Sequence, residues 1–311
     1  MLHVRVIAPE QDTAGVLDAL TSDDAVIHLV VLPGAAHSPR GDVLEFDVVR
    51  EGASTVLDRL RELGVDRDGA IVVERVDAAL SASADRAAQR IPGQGVDAVV
   101  WQEIEHQTGE EAALSASFLA FMTLAMIIAA VGVLLDQPIL IVGSMVVGPE
   151  FGPLAALCVG LVLRKWHLVR RSAVALGVGF PFAMIITVGA VWLLTVAGLV
   201  DKSMLLGERP LTDFIWRPDA LSWVIGFLGG VAGILSLTSA KAGTLVGVLI
   251  SVTTIPAAAN AAVALAYGVR EEAVGSALQL VINVAAIVIA GALTLLVQRV
   301  AWRRPRPARG A

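Results

Sequence analysis

The stretch PILIVGSMVVGPEFGPLAALCVGLVL, residues 138–163, decides the fold of this chain. It is long enough to cross a bilayer, since about 20 apolar residues in a helix span the hydrocarbon core. The carboxylate of Glu150 lies near its middle, and four helix-interrupting residues surround it: Gly148, Pro149, Gly152 and Pro153. Proline frees backbone carbonyls that hydrocarbon cannot satisfy. The stretch therefore predicts a broken membrane span that is covered by protein or lines a wet cavity.

A second apolar stretch of similar character covers residues 242–267. Thr253, Thr254 and Pro256 interrupt it at the depth that corresponds to Glu150 in the first stretch. Asn260 follows one helical turn later. We expect this stretch to be a second broken span.

The two stretches align as parts of an internal repeat. Placing Gly143 over Gly247 sets LIVG against TLVG, and a proline follows ten residues later in the first stretch and nine residues later in the second. Each repeat unit contains three spans. Because three is odd, the second unit enters the membrane from the opposite side, and the sequence predicts an inverted-topology repeat.

Six apolar runs satisfy the length criterion for a span. They are residues 113–135, 138–163, 168–200, 220–239, 242–267 and 272–298. With the N-terminus inside, ten basic residues of the connections lie inside and four outside, as cytoplasmic loops require. Arginine predominates among the basic residues, which is typical of a GC-rich bacterial genome. We expect a multi-pass protein of a bacterial cytoplasmic (inner) membrane with both termini cytoplasmic.

The charge of the chain divides it near residue 111. Residues 1–111 contain 21 acidic and 9 basic residues, whereas residues 112–311 contain 8 acidic and 14 basic residues. We predict a cytoplasmic domain at residues 1–77, a linker with an interfacial helix at 78–111, a six-span membrane domain at 112–299 and a basic cytoplasmic tail at 300–311. An acidic soluble domain is unsuited to nucleic acid, so no nucleic-acid binding is expected.

The N-terminal domain has the pattern of a ferredoxin-like α+β fold. Four short β-branched runs read as strands, at residues 2–8, 25–32, 42–49 and 70–76. Helical spacing occurs at residues 13–20 and 54–63. The resulting order is βαββαβ, with one face of the sheet covered by helices.

The open face of this sheet is a candidate effector site. Its predicted polar residues are His3, His28, Glu45 and Asp47. Such a face binds a small effector or a metal, or it is a solvated, salt-bridged or dimerising surface. The spacing lacks the tight ligand clusters of known metal motifs, so no metal site is predicted, and the sequence identifies no cofactor.

Residues 78–95 are small, polar and punctuated by glycine and proline, which indicates a linker. Val96, Val99, Val100 and Ile104 then recur at helical spacing, which predicts an amphipathic helix at the membrane surface. Thr108 and Glu111 have the spacing of a capping box at the start of the first span.

Glu150 is the candidate with the clearest chemistry. A carboxylate at mid-bilayer costs roughly 3 kcal/mol on insertion scales and is usually functional, so we expect it to couple a proton or cation. The alternative is structural, with Glu150 at a wide vestibule or paired with Lys241 or a backbone donor. The other candidate substrate- or ion-binding residues are Ser144, Gly148, Pro149, Pro153, Thr253, Thr254, Pro256, Asn260, Gln279 and Asn283. Isolated polar residues of this kind also serve only to bond neighbouring helices.

Three stretches resemble the domain of unknown function 389 family of bacterial hydrophobic membrane proteins. They are GSMVVGPEFGP at 143–153, GILSLTSAKAGTLVGVLISVTTIP at 233–256 and QLVINVAAIVIAG at 279–291. The resemblance implies a six-span integral membrane protein and supplies no substrate. Glu150 stands where relatives commonly have a hydrophobic residue, and the single Pro256 stands where a double proline is frequent.

Two functions follow as hypotheses. The first is a transporter or channel for a small solute or ion, with a cytoplasmic domain that regulates or oligomerises it. The alternative is a membrane-anchored sensor or scaffold whose soluble domain binds an effector. An enzyme is not expected, because the sequence has no metal-ligand set, nucleophile elbow, phosphate loop or paired catalytic carboxylates. The expected partners are the lipid bilayer and further copies of the chain.

Overall fold

The computed structural model describes residues 1–76, 79, 81–90, 99–217, 219–239 and 254–302. The chain forms two compact units. The first consists chiefly of Met1–Ile104, and the second of Glu105–Leu237 with Lys241–Arg299.

The first unit is built on a four-stranded antiparallel sheet. Its elements in chain order are β1 (Leu2–Ala8), α1 (Thr13–Thr21), β2 (Val26–His37), β3 (Arg40–Val48), α2 (Arg50–Glu62), α3 (Val65–Asp68) and β4 (Ala70–Arg75). The strand order across the sheet is β2-β3-β1-β4. The predicted βαββαβ order is thereby confirmed, with the short helix α3 as an addition.

The two faces of the sheet follow from the alternation of side chains along each strand. Leu2, Val4 and Val6 of β1 are fully buried, as are Leu44 and Phe46 of β3. The intervening polar residues lie on the opposite face, and the register pairs His3 with Asp47 and Arg5 with Glu45. The prediction of which residues lie on each face of the sheet is thereby confirmed.

Two further helices belong to the region that the sequence predicts as a linker and interfacial helix. They are α4 (Ala82–Arg90) and α5 (Trp101–Glu111). The linker interpretation missed α4, whose alanines have the highest helix propensity. Ala87 of α4 packs into the core of the first unit. The small residues that suggested a linker therefore form a packed helix.

The apolar residues before and within α5 also pack against protein. Val100 belongs to the core of the first unit, and Val99 and Ile104 are buried. The backbone N–H of Trp101 donates to Oγ of Ser54 at 3.3 Å. These apolar side chains are thus covered by protein. Val96 lies outside the described residues.

The second unit is helical. Its helices are α6 (Ala116–Leu134), α7 (Pro138–Val147), α8 (Phe151–Leu163), α9 (Trp166–Val196), α10 (Lys202–Leu206), α11 (Ala220–Thr238), α12 (Thr254–Ala266) and α13 (Arg270–Trp302), with a 3₁₀ turn at Asp213–Ile215. Four of them, α6, α9, α11 and α13, are long and apolar enough to cross a membrane. Helices α7 and α8 form a bent pair that adds a fifth candidate span.

The predicted fifth run, residues 242–267, is only partly described. Residues 242–253 lie outside the described residues, and α12 contains 13 residues of the run. The described part of the chain therefore contains four or five candidate spans, and the six-span repeat stays a prediction.

The first span begins differently from the prediction. Thr108 and Glu111 lie inside α5 and do not cap α6. Ser115 is the N-cap, and its Oγ accepts a hydrogen bond from the backbone N–H of Phe118 at 3.1 Å. A serine at this position satisfies a donor that the first helical turn leaves open. The capping-box assignment was wrong, because the N-cap lies seven residues after Thr108.

Helix α12 lies at the centre of the second unit. All its residues from Thr254 to Ala264 are buried, and it packs against α6, α7 and α9. Alanine predominates, which lets neighbouring helices approach closely. Because α12 is buried on all sides, its two strongly polar residues, Thr254 and Asn260, are brought into the middle of an apolar unit.

Candidate functional site

The predicted interruption of the second span is present. Helix α7 ends at Val147 and α8 begins at Phe151, with a bend of 56° between them. Pro149 lies in the gap. Pro153 lies in the first turn of α8, where its missing N–H has no intrahelical acceptor to lose. The glycines and prolines noted in the sequence thus end one helix and start the next.

Glu150 lies directly at this break. It is the N-cap residue of α8 and is fully buried. The positive end of the α8 dipole favours a negative charge at this position. The hydroxyl of Thr254 donates a hydrogen bond to Oε1 of Glu150 at 2.9 Å. The structure therefore joins two predicted site residues that are separated by 104 positions in the chain.

Gly148 makes room for this contact. A methyl group added at Gly148 would lie 2.5 Å from Oε2 of Glu150 and 3.0 Å from Cγ1 of Ile255. Both distances are shorter than ordinary van der Waals contact. A glycine at this position therefore lets the carboxylate and α12 approach the break together.

A groove of about 400 Å³ adjoins the break. Its lining residues are Glu110, Glu111, Ala113, Ser115, Phe118, Phe121, Gly148, Pro149, Phe151 and Gly152. Its two charged residues are both acidic, and the side chain of Glu110 is 76% exposed. A groove lined by one sign of charge concentrates ions of the opposite sign. Its potential therefore favours cations.

Asn260 belongs to a second buried polar cluster. Its amide nitrogen donates to Oε1 of Glu272 at 3.0 Å and to Oγ of Ser276 at 2.7 Å. Arg209 donates to Oε1 of Glu272 at 2.5 Å, and its other terminal nitrogen lies 3.4 Å from Oδ1 of Asn260. All four residues are buried. They form an internally bonded ion-pair cluster.

The sequence analysis missed three residues of this cluster, namely Arg209, Glu272 and Ser276. Arg209 was counted as an outside loop residue, and Glu272 as the edge of a span. A signal was nevertheless present, because Glu272, Ser276, Gln279 and Asn283 follow one another at spacings of four, three and four residues. That spacing places them on one face of a helix.

This polar stripe continues along α13 into the apolar part of the unit. Gln279 and Asn283 are buried, as predicted for residues facing the bundle. From Glu272 to Asn283 the stripe extends about 16 Å along the helix axis. Within the described residues, Oε1 of Gln279 has no hydrogen-bond partner. The stripe is a polar track along an otherwise apolar helix.

The remaining predicted residues take other positions. Ser144 is buried in α7. Its hydroxyl donates a hydrogen bond to the backbone carbonyl of Ile141 in the same helix at 2.6 Å. Pro256 is buried in the first turns of α12 as described. Thr253 and Lys241 lie outside the described residues.

In the first unit, three of the four predicted sheet residues converge. Asp47 accepts from Nδ1 of His3 at 2.9 Å through one oxygen and from Nδ1 of His28 at 2.7 Å through the other. Glu45 is not part of this contact and lies opposite Arg5 in the sheet register. Among the residues that the structure describes, no group of three or more His, Cys, Asp or Glu side chains could hold a metal ion.

The second nitrogen of His28 contacts the segment before and within α4. Nε2 lies 2.7 Å from Oγ of Ser83 and 2.9 Å from Oγ of Ser81. Burial raises the pKa of Asp47, but hydrogen bonds and positive charge from the two imidazoles outweigh that effect and hold this pKa below its ordinary value. The sheet face is therefore a hydrogen-bonded contact between imidazole, carboxylate and hydroxyl groups.

Comparisons with known proteins support the resemblance seen in the sequence. Residues 145–289 match the family model described as a domain of unknown function (DUF389). The chain is 26% identical over 189 residues to an uncharacterized protein of Methanocaldococcus jannaschii, an alignment that covers 61% of this chain and 56% of that relative. The chain thus spans little more than half of the length of this curated relative. No solved structure matches the chain.

The matched segment contains the break at Glu150, the contact with Thr254 and the polar stripe of α13. Over residues 145–289, fewer than half of its 311 residues, this chain is similar to the domain of unknown function 389 family.

Proposed function

We propose that this chain is a multi-pass membrane transporter or channel, not an enzyme, that moves a small cation or a proton past Glu150. The observation that supports this proposal most strongly is the burial of Glu150 at a helix break beside an acidic groove.

The charge of the site favours a positive solute. The buried carboxylate of Glu150 has a substantial desolvation cost in an apolar unit. A bound cation or proton would offset that cost. The groove that reaches Gly148 and Pro149 carries Glu110 and Glu111, and no basic side chain is among its described lining residues.

The ligands near the break are oxygen atoms. Glu150 supplies a carboxylate and Thr254 supplies a hydroxyl, and their side chains are already in contact. The gap between α7 and α8 adds backbone carbonyls outside regular helix. Oxygen ligands of this kind suit hard cations, and secondary transporters use helix ends and unwound carbonyls for such sites.

In this proposal the break forms half of an inverted repeat of three spans plus three. The contact between Glu150 and Thr254 supports it, because the alignment of the two stretches places these residues at the same depth. Residues 242–267 would then provide the second broken span. The proposal further places both termini and the N-terminal domain in the cytoplasm of a bacterium, with that domain regulating or oligomerising the transporter.

Ion flux into proteoliposomes tests the proposal. We expect Glu150→Gln to lower the flux of protons, Na⁺ or K⁺, whichever the wild-type chain conducts, by at least about tenfold. Glu271→Gln is the matched control, because Glu271 is an exposed glutamate next to the buried Glu272. A Glu150→Gln variant with unchanged, pH-independent flux would refute the coupling role.

The contact on the sheet face favours a second candidate function, that of a membrane-anchored sensor. His28 joins Asp47 of the sheet to Ser83 of α4, so an effector or proton that binds here would alter the position of α4. Asp47→Asn in the full chain separates the two functions. A sensor loses its response, whereas a transporter with its site at Glu150 keeps its maximal flux.

A further inference from the structure

A second groove, of about 540 Å³, lies at the start of α9. Its lining residues are Leu114, Trp166, His167, Arg170, Arg171 and Val174. Five of the six belong to the first turns of one helix. The groove is separate in its residues from the acidic groove at Glu110 and Gly148, and it has the opposite charge.

The two arginines of this groove are available to an external anion. Arg170 and Arg171 are exposed, and neither forms an ion pair with any carboxylate among the described residues. Lys165, just before them in the chain, differs because its Nζ bonds Oε1 of Glu105 at 2.8 Å. A guanidinium presents paired N–H donors that match the oxygens of a phosphate.

An exposed apolar stripe continues from these arginines along the same face of α9. Val174, Val178, Phe182 and Ile185 follow at spacings of four, four and three residues, and each is at least 42% exposed. From Arg171 to Ile185 the helix rises about 21 Å. One leaflet of the hydrocarbon core is about 15 Å thick. The stripe is therefore long enough to accompany an acyl chain through one leaflet.

Trp166 lies on the N-terminal side of the two arginines, away from the apolar stripe. It is the first residue of α9, and its side chain is 70% exposed. Tryptophan concentrates at the interface between headgroups and hydrocarbon. Leu114, 40% exposed, provides apolar surface on the opposite wall of the groove.

We propose that this groove binds an anionic phospholipid. The phosphate lies against Arg170 and Arg171, the polar headgroup extends towards Trp166, and an acyl chain follows Val174 and Val178. A free phosphate would use the arginines but not the exposed apolar stripe. A zwitterionic lipid would bring its own cation next to two guanidinium groups. The inference rests on insertion of the long apolar helices into a membrane and not on the proposed transport.

Lipid binding to the purified full chain tests this inference. The measurement is the amount of phosphatidylglycerol retained in native mass spectra after exchange into detergent, compared with phosphatidylcholine. We expect the wild-type chain to retain phosphatidylglycerol preferentially. The double variant Arg170→Gln/Arg171→Gln should bind phosphatidylglycerol with an affinity at least roughly tenfold lower. The control Arg217→Gln/Arg270→Gln removes two other arginines and should retain the wild-type affinity.

Two measurements on the wild-type chain keep the test independent of the folding of the variant. Inorganic phosphate and glycerol 3-phosphate, added as competitors, should displace phosphatidylglycerol at least tenfold less well than a second anionic lipid. Effective competition by either free phosphate would assign the groove to a soluble anion and overturn the lipid. Equal retention of phosphatidylcholine, or full retention by the double glutamine variant, would also overturn the inference.

Discussion

Two glutamates are buried in the helical unit, and they have different surroundings. Glu272 is bonded to a buried arginine, Arg209, and to Asn260, so its charge is compensated within the protein. Glu150 receives a hydrogen bond from the neutral hydroxyl of Thr254 and lies at a helix break next to an acidic groove. We expect the first arrangement to stabilise the fold, whereas in the proposed function the second binds an exchangeable proton or cation.

Charge compensation should distinguish a structural glutamate from one that binds an exchangeable cation. A buried ion pair is strongly destabilised when one partner is removed, because the other charge is left in an apolar environment. A carboxylate that serves an exchangeable cation has to be neutralised without loss of structure, since it is neutral or occupied during part of its cycle. Loss of charge compensation at Glu272 should therefore lower stability strongly, whereas neutralisation of Glu150 should chiefly lower transport.

The largest stability effect is expected for the cluster at Glu272. Arg209→Met leaves the carboxylate of Glu272 buried without its cation and should lower the free energy of unfolding by about 3–5 kcal/mol. Chemical denaturation in detergent micelles measures it. The double variant Arg209→Met/Glu272→Met should recover most of the loss, because it removes both charges together. If Arg209→Met unfolds with the wild-type midpoint, the cluster does not hold the fold.

A smaller effect is expected from the glycine that lets α12 approach the break. Gly148→Ala places a methyl group against Glu150 and Ile255 and should cost about 1–3 kcal/mol, with a parallel loss of flux. Gly143→Ala, five residues earlier and within α7, is the control because nothing lies within 4 Å of its added methyl group. Equal stability of the two variants would show that the close packing at the break is not required.

The smallest effect on stability is expected in the first unit, at Asp47. The pKa of Asp47 is held below its ordinary value of 3.8 by the two imidazoles, so this contact stabilises the fold above that pH. The stabilisation is lost as the pH falls through the pKa of the folded state. Asp47→Asn should therefore reduce the acid-induced loss in the free energy of unfolding by less than about 1 kcal/mol.

Unfolding curves at a series of acidic pH values, followed in the first unit, measure this dependence. Glu45→Gln is the control, since Glu45 lies on the same face of β3 but outside the contact of His3 and His28 with Asp47. Identical acid dependence in the wild-type and Asp47→Asn chains would contradict the assignment.

The elements with a strong local signal were predictable from the sequence. Alternation of buried and polar residues located the sheet and its two faces, and it brought His3, His28 and Asp47 to one surface. Glycine and proline located the break between α7 and α8. The alignment of the two stretches placed Glu150 and Thr254 at the same depth, and the structure joins their side chains by a hydrogen bond.

Other features depend on tertiary packing that local patterns do not encode. Helix α4 was missed because alanine and serine occur in both linkers and packed helices. Burial of Ala87 in the core of the first unit stabilises the helix. Arg209 was assigned to an outside loop because its position gives no indication of Glu272, which follows 63 residues later. A charged residue near the end of a span is therefore ambiguous until its partner is known.

In the proposed function, the carboxylate of Glu150 exchanges a proton or a cation through the groove. Infrared difference spectra of the full chain in proteoliposomes, recorded on changing the pH or adding Na⁺ or K⁺, test it most directly. We expect a carboxyl band that responds to the proton or to one of the cations and that is missing from the spectra of Glu150→Gln. A Glu150 band that stays constant under every one of these changes would contradict it and leave the residue with a structural role.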